Sequence, residues 1–129
     1  MNNIYYFIRH AHSSYTPDEI NRPLSDKGQA SLAQLEFLTD KSIAAIYSSP
    51  YRRAIQTVKP LAQSLKLAIQ TDKRLIERKL SSQAIADPDF EQCLMKLWSQ
   101  PTFSLVDGES NQQAQQRALA LLHELESKH

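Results

Sequence analysis

Ile4-Tyr5-Tyr6-Phe7-Ile8-Arg9-His10-Ala11-His12-Ser13 is the stretch on which the fold turns. Its first five residues are an unbroken apolar, aromatic and β-branched run, the pattern of a strand covered on both faces in a parallel sheet. The run then stops abruptly at Arg9 and His10. A both-faces-buried strand implies helices above and below it, so the next question is whether helices follow.

They do. Ser25 stands where an N-cap belongs, Asp26 suits the positive end of a helix dipole, and Ala30, Leu32, Leu35 and Leu38 supply an apolar stripe. Ala44 to Tyr47 reads as a second short strand, Ser48-Ser49-Pro50 as its exit turn, and Ala54, Val58, Leu61, Ala62 and Leu65 as one face of a second helix. Leu67 to Thr71 is a third strand, and Arg74 to Asp87 a polar loop. Asp87-Pro88 then offers an N-cap and a first-turn proline before Phe90, Cys93, Leu94, Leu97 and Trp98, a stripe read as core. The last helix opens on Ser110, with Gln113 three residues on in capping-box spacing, and carries Ala114, Ala118, Leu121, Leu122 and Leu125 on one face.

Strands alternating with helices predict an α/β fold, three layers α/β/α around a mainly parallel sheet. Residues 1–129 are expected to form a single domain. It is an incomplete one: three strands are few for four helices, and the chain stops at His129 directly after a well-formed amphipathic helix. The edges that a missing strand leaves predict a fragment that is marginal, aggregates, or recruits a strand from another copy as a strand-swapped or edge-paired dimer.

Composition narrows the function. Lys and Arg number 15 against 14 Asp and Glu, and the net charge of +1 supplies no broad field for nucleic acid or an anionic membrane. Neither is expected as a partner. Cys93 is the one cysteine, which excludes an internal disulfide and a cysteine-based metal cage. The opening residues have no basic region before their brief apolar run, so they read as neither signal peptide nor membrane span, and the cytoplasm is the expected location.

Ligands of open parallel sheets collect at the carboxyl ends of strands. Those ends deliver Arg9-His10-Ala11-His12-Ser13, then Ser48-Ser49-Pro50-Tyr51-Arg52-Arg53-Ala54, then Leu75-Ile76-Glu77-Arg78. Two guanidiniums, an imidazole and a carboxyl on one rim suit a phosphate ester. Arginine forks donate paired charge-assisted hydrogen bonds to phosphate oxygens, and the imidazole is a nucleophile toward phosphorus if a backbone carbonyl holds its other nitrogen. Ser13 and Ser49 fit either phosphate oxygens or the capping of turns, and Arg52 either the pocket or a solvated helix face. A His10/His12 metal pair lacks supporting ligands at the other strand ends.

These blocks resemble the histidine phosphatase superfamily, which includes phosphoglycerate mutase. Arg9-His10 after a first apolar strand is similar to its Arg-His-Gly signature, with Ala11 in place of glycine. Arg22-Pro23-Leu24-Ser25-Asp26-Lys27-Gly28-Gln29-Ala30 resembles the Pro-Leu-Thr-x-x-Gly segment, and Ser48-Ser49-Pro50 with Arg53-Ala54 and Thr57 the second conserved block. Leu75-x-Glu77-Arg78 and Gly108-Glu109-Ser110 resemble two later ones. The resemblance implies a phosphoglycerate mutase-like fold without its C-terminal strands. It implies a phosphomonoesterase with His10 phosphorylated, Arg9 and Arg53 clamping the phosphoryl group, and Glu77 as general acid. It implies no metal or organic cofactor and a small phosphorylated substrate. The family's second histidine lies in a Ser/Thr-His-Gly block beyond the last residue here, and neither His123 nor His129 takes its place. The short connection from Tyr15 to Arg22 lacks a Trp-Asn block, which favours phosphatase over mutase. The alternative from another class is a phosphate-binding fragment without turnover.

Overall fold

The computed structural model of the chain describes residues 3–78, 87–104 and 108–129. They fall into two compact units, residues 1–76 and 77–129.

In the first unit, α1 (Asp26–Ser31) starts where the sequence places it: the Ser25 side chain accepts the Gly28 amide. The chain then tightens into 3-10 geometry from Leu32 to Asp40, which turns Leu38 into the core. Strand β1 (Ile46–Ser48) pairs in parallel with β2 (Ile69–Thr71), Ile46 opposite Ile69. Helix α2 (Arg52–Leu65) is the crossover between them. Its stripe buries Val58, Leu61 and Ala62 against Leu38 and Ile46, and Ile8, Leu35, Ile43, Leu65, Leu67 and Ile69 pack around that cluster. Full burial of each large aliphatic side chain contributes about 1.5–3 kcal/mol. The helix ends on Lys66 in the left-handed region at φ 57°, where the Lys66 and Leu67 amides recover the Ala62 carbonyl.

Two expectations need correction here. Ile4 to Ile8 forms no strand, and Ile4 and Phe7 are each 78% exposed. A strand covered on both faces needs a ladder neighbour; among the described residues the sheet has two strands, and neither pairs with this segment. Only Ile8 reaches the core cluster. Strand β1 begins two residues after the expected Ala44 and takes in Ser48, which the sequence assigns to the exit turn, and β2 lacks the first two residues of the expected Leu67 to Thr71.

The second unit holds α3 (Asp87–Ser99) and α4 (Asn111–Lys128). Part of the predicted polar loop, 79–86, lies outside the described residues; the part before it includes a short 3-10 turn, Lys73–Leu75, capped by Asp72. Among the described side chains of α3 the buried one is Leu97, whereas Trp98, expected in the core, is 74% exposed, as is Met95 at 72%. Neighbouring helical positions differ by ~100°, so a face centred on Leu97 turns Trp98 outward. Phe90 lies among residues whose side chains are not described. The capping box of α4 forms as the spacing predicts: the Ser110 hydroxyl accepts the Gln113 amide and the Gln113 side chain accepts the Ser110 amide. Leu121 and Leu125 are buried. Among the described residues no helix is long and apolar enough to cross a membrane.

Candidate active site

The residues after Ile8 leave the core in a loop whose backbone is tied down on two sides. The Ala11 amide donates to the Thr57 hydroxyl at 3.0 Å, and that hydroxyl donates to the Arg53 carbonyl at 2.7 Å. One buried threonine therefore joins the residue after His10 to the first turn of α2. On the other side the His12 carbonyl accepts the Ser25 amide at 2.9 Å. The Ser25 hydroxyl donates to the same carbonyl and meets His12 Nδ1 at 2.6 Å. The Gly28 backbone lies so close beneath that a Cβ there would overlap the His12 carbonyl oxygen. This close approach is why the position is glycine.

His10 is half-buried, and its Nδ1 lies 2.7 Å from the Ala11 carbonyl oxygen. A carbonyl only accepts, so Nδ1 carries the proton and the neutral ring has its lone pair at Nε2. That is the orientation the sequence reading required of a nucleophile.

Arg53 is the buried cation of the unit, its side chain 3% exposed. It reaches the loop that follows the signature: Nη1 donates to the Glu19 carbonyl at 2.6 Å and Nη2 to the Glu19 carboxylate at 3.0 Å. The other carboxylate oxygen takes Arg22 Nη2 at 2.8 Å. Asp18 shapes the turn that carries Glu19, accepting the Ile20 and Asn21 amides and the Asn21 side chain. Those bonds, the Asn21 side chain first, hold the Asp18 carboxyl below its ordinary value. Arg22 lies over the Tyr15 ring and Arg53 over the Tyr51 ring.

The remaining candidates are placed as follows. Arg9 is exposed. Ser13 makes an isolated antiparallel bridge with Leu24. Ser49 is buried and its hydroxyl accepts the Tyr51 amide, a turn-capping role. Arg52 is exposed; its amide donates to the Ile20 carbonyl and its side chain to the Asn21 carbonyl. Glu77 is exposed at the beginning of the second unit. Beside it Arg78 donates to the Glu109 carbonyl and the Asn111 side chain, which joins two of the sequence blocks within that unit. Glu109 makes a two-oxygen pair with Arg117, 2.6 Å for each bond. Among the described residues no group of three or more His, Cys, Asp or Glu side chains is arranged to hold a metal ion.

Sequence reasoning missed Glu19. Its pairing with Arg53 spans 34 positions, and the only local signal was the Asp18 to Asn21 turn.

The sequence matches the profile of the histidine phosphatase superfamily (branch 1) over residues 5–129. The chain belongs to this superfamily. No curated protein gives a significant match. Among solved structures, mycobacterial glucosyl-3-phosphoglycerate phosphatase is 24% identical with a TM-score of 0.79, covering 93% of this chain and 62% of its own. YhfR of Bacillus stearothermophilus is 25% identical with a TM-score of 0.76, covering 94% of this chain and 66% of that one. A putative alpha-ribazole-5'-P phosphatase of Escherichia coli is 18% identical with a TM-score of 0.70, covering 95% and 66%. This histidine phosphatase chain thus has the superfamily fold, helix-rich with a small parallel sheet, and spans about three-fifths of the first of these neighbours.

Proposed function

We propose that the chain carries the nucleophilic part of a cytoplasmic phosphomonoester hydrolase that works through a phosphohistidine at His10, and that residues 1–129 belong to one domain. The observation that carries the reading is the Nδ1 contact of His10 with the Ala11 carbonyl, 2.7 Å, which puts the ring proton on Nδ1 and makes Nε2 the nucleophilic nitrogen of the neutral ring.

In the first step Nε2 attacks phosphorus in line, the N–P bond forms and the ester P–O bond breaks. The alkoxide takes a proton from the Glu77 carboxyl group. Water then attacks phosphorus, gives its proton to the Glu77 carboxylate, and the N–P bond breaks to release inorganic phosphate. Arg53 and Arg9 stabilise charge on the equatorial oxygens, with Ser13, Ser49 and Arg52 as further substrate contacts. The named activities of the structural neighbours concern phosphorylated small metabolites, which supports a substrate of that class.

Replacing His10 by Ala tests the reading. Hydrolysis of p-nitrophenyl phosphate by the chain is expected to be lost in His10→Ala, and unchanged hydrolysis overturns the assignment. A second reading is phosphate binding without turnover. It predicts phosphate binding in calorimetry together with no hydrolysis by the unaltered chain.

A further inference from the structure

We propose that Glu19 is a built-in occupant of the phosphate site, a displaceable carboxylate that a substrate phosphoryl group must replace at Arg53. The proposal rests on the reading of Arg53 as a phosphate clamp and adds a device that regulates it.

A guanidinium as buried as that of Arg53 requires an anionic partner, because an unpaired charge in that setting is costly. Glu19 supplies one, and its form is informative. One carboxylate oxygen lies 3.0 Å from Arg53 and the other 2.8 Å from Arg22. Two guanidiniums gripping the two oxygens of one group is the arrangement they would adopt on an edge of a phosphate. The backbone is fixed independently: the Glu19 carbonyl holds Arg53 at 2.6 Å, Asp18 caps the turn, and the Ile20 carbonyl takes the Arg52 amide. The carboxylate alone is therefore free to swing while the loop stays in place. It is also 58% exposed, against 3% for the Arg53 side chain, so water reaches the component that has to leave.

The fit is incomplete in the way expected of a stand-in. Arg22 Nε is buried with no hydrogen-bond partner among the described residues. The Glu19 oxygens have lone pairs to spare, but neither oxygen meets this nitrogen. A tetrahedral phosphate brings further acceptor oxygens, one of which can meet that orphaned donor.

The arrangement sets a threshold. Binding of a phosphate ligand is reduced by the free energy of the Glu19 contacts it breaks, whereas removing the charge removes the competitor. If Glu19 instead served only to neutralise Arg53, its loss would weaken the site.

Calorimetric titration with inorganic phosphate separates the two. Glu19→Gln, which keeps the shape and removes the charge, is expected to bind phosphate about two- to fivefold more tightly than the unaltered chain, the range for a partly solvated ion pair. Glu19→Asp, which keeps the charge and shortens the reach, is expected to fall between them. Equal or weaker binding by Glu19→Gln, or no binding by any of the three, overturns the proposal. The same titration on His10→Ala keeps the readouts apart: phosphate binding reports on the Glu19 latch, and p-nitrophenyl phosphate turnover reports on the nucleophile.

Discussion

The Thr57 hydroxyl accepts the Ala11 amide at 3.0 Å, so a side chain on α2 fixes the backbone of the residue that follows His10. Because the same hydroxyl donates to the Arg53 carbonyl, the imidazole loop and the arginine turn are positioned by one atom. Thr57→Val keeps the shape and removes both bonds. It is expected to lower stability by about 1–3 kcal/mol, the cost of an unsatisfied amide. Turnover should fall through kcat more than KM, and Thr57→Ser should restore much of it. Urea unfolding and steady-state kinetics check this; a silent Thr57→Val would remove the positioning role.

Gly28 tests the opposite side of the loop. Alanine there drives a Cβ into the His12 carbonyl oxygen, and the obstacle is backbone, which cannot rotate away. Gly28→Ala is expected to destabilise by at least about 1–3 kcal/mol, as overpacking does, despite the better helix propensity of alanine. Thermal melting reads the outcome, and an unchanged midpoint would show that the loop does not rest on α1.

The Asp18 turn predicts an acid limb. Hydrogen bonds from the Asn21 side chain and amide, and from the Ile20 amide, hold this carboxyl below its ordinary value of 3.8, with slight desolvation opposing them. A depressed folded value means that the stabilising contribution is present above the ordinary value and is lost as pH falls through the lower, folded one. The Ile20 and Asn21 amide resonances, followed downward from about pH 5, should shift in that window. The transition should vanish in Asp18→Asn. A midpoint at or above 3.8 would contradict the capping.

What could be read in the sequence was what is local. Ser25 with Gly28, and Ser110 with Gln113, lie three residues apart, so the side chains that cap α1 and α4 are visible as spacing alone. The α2 stripe was legible because Val58, Leu61 and Ala62 repeat at helical period on a long element. Ile4 to Ile8 failed because strand formation depends on a neighbour that no local pattern specifies. Trp98 failed because an apolar residue next to Leu97 reads as core until the packed face is known. The superfamily was legible in motifs such as Arg9-His10, whereas the ion pair that occupies Arg53 links a turn and a helix far apart in the chain and was not.

The most direct test is to locate the phosphoryl group. The chain is mixed with p-nitrophenyl phosphate, quenched in alkali to preserve phosphohistidine, and examined by peptide mass spectrometry and phosphorus NMR. The account predicts a phosphoryl group on Nε2 of His10, because Nδ1 is committed to the Ala11 carbonyl. A phosphoryl group on Nδ1 or on any other residue, or no adduct at all, would contradict it.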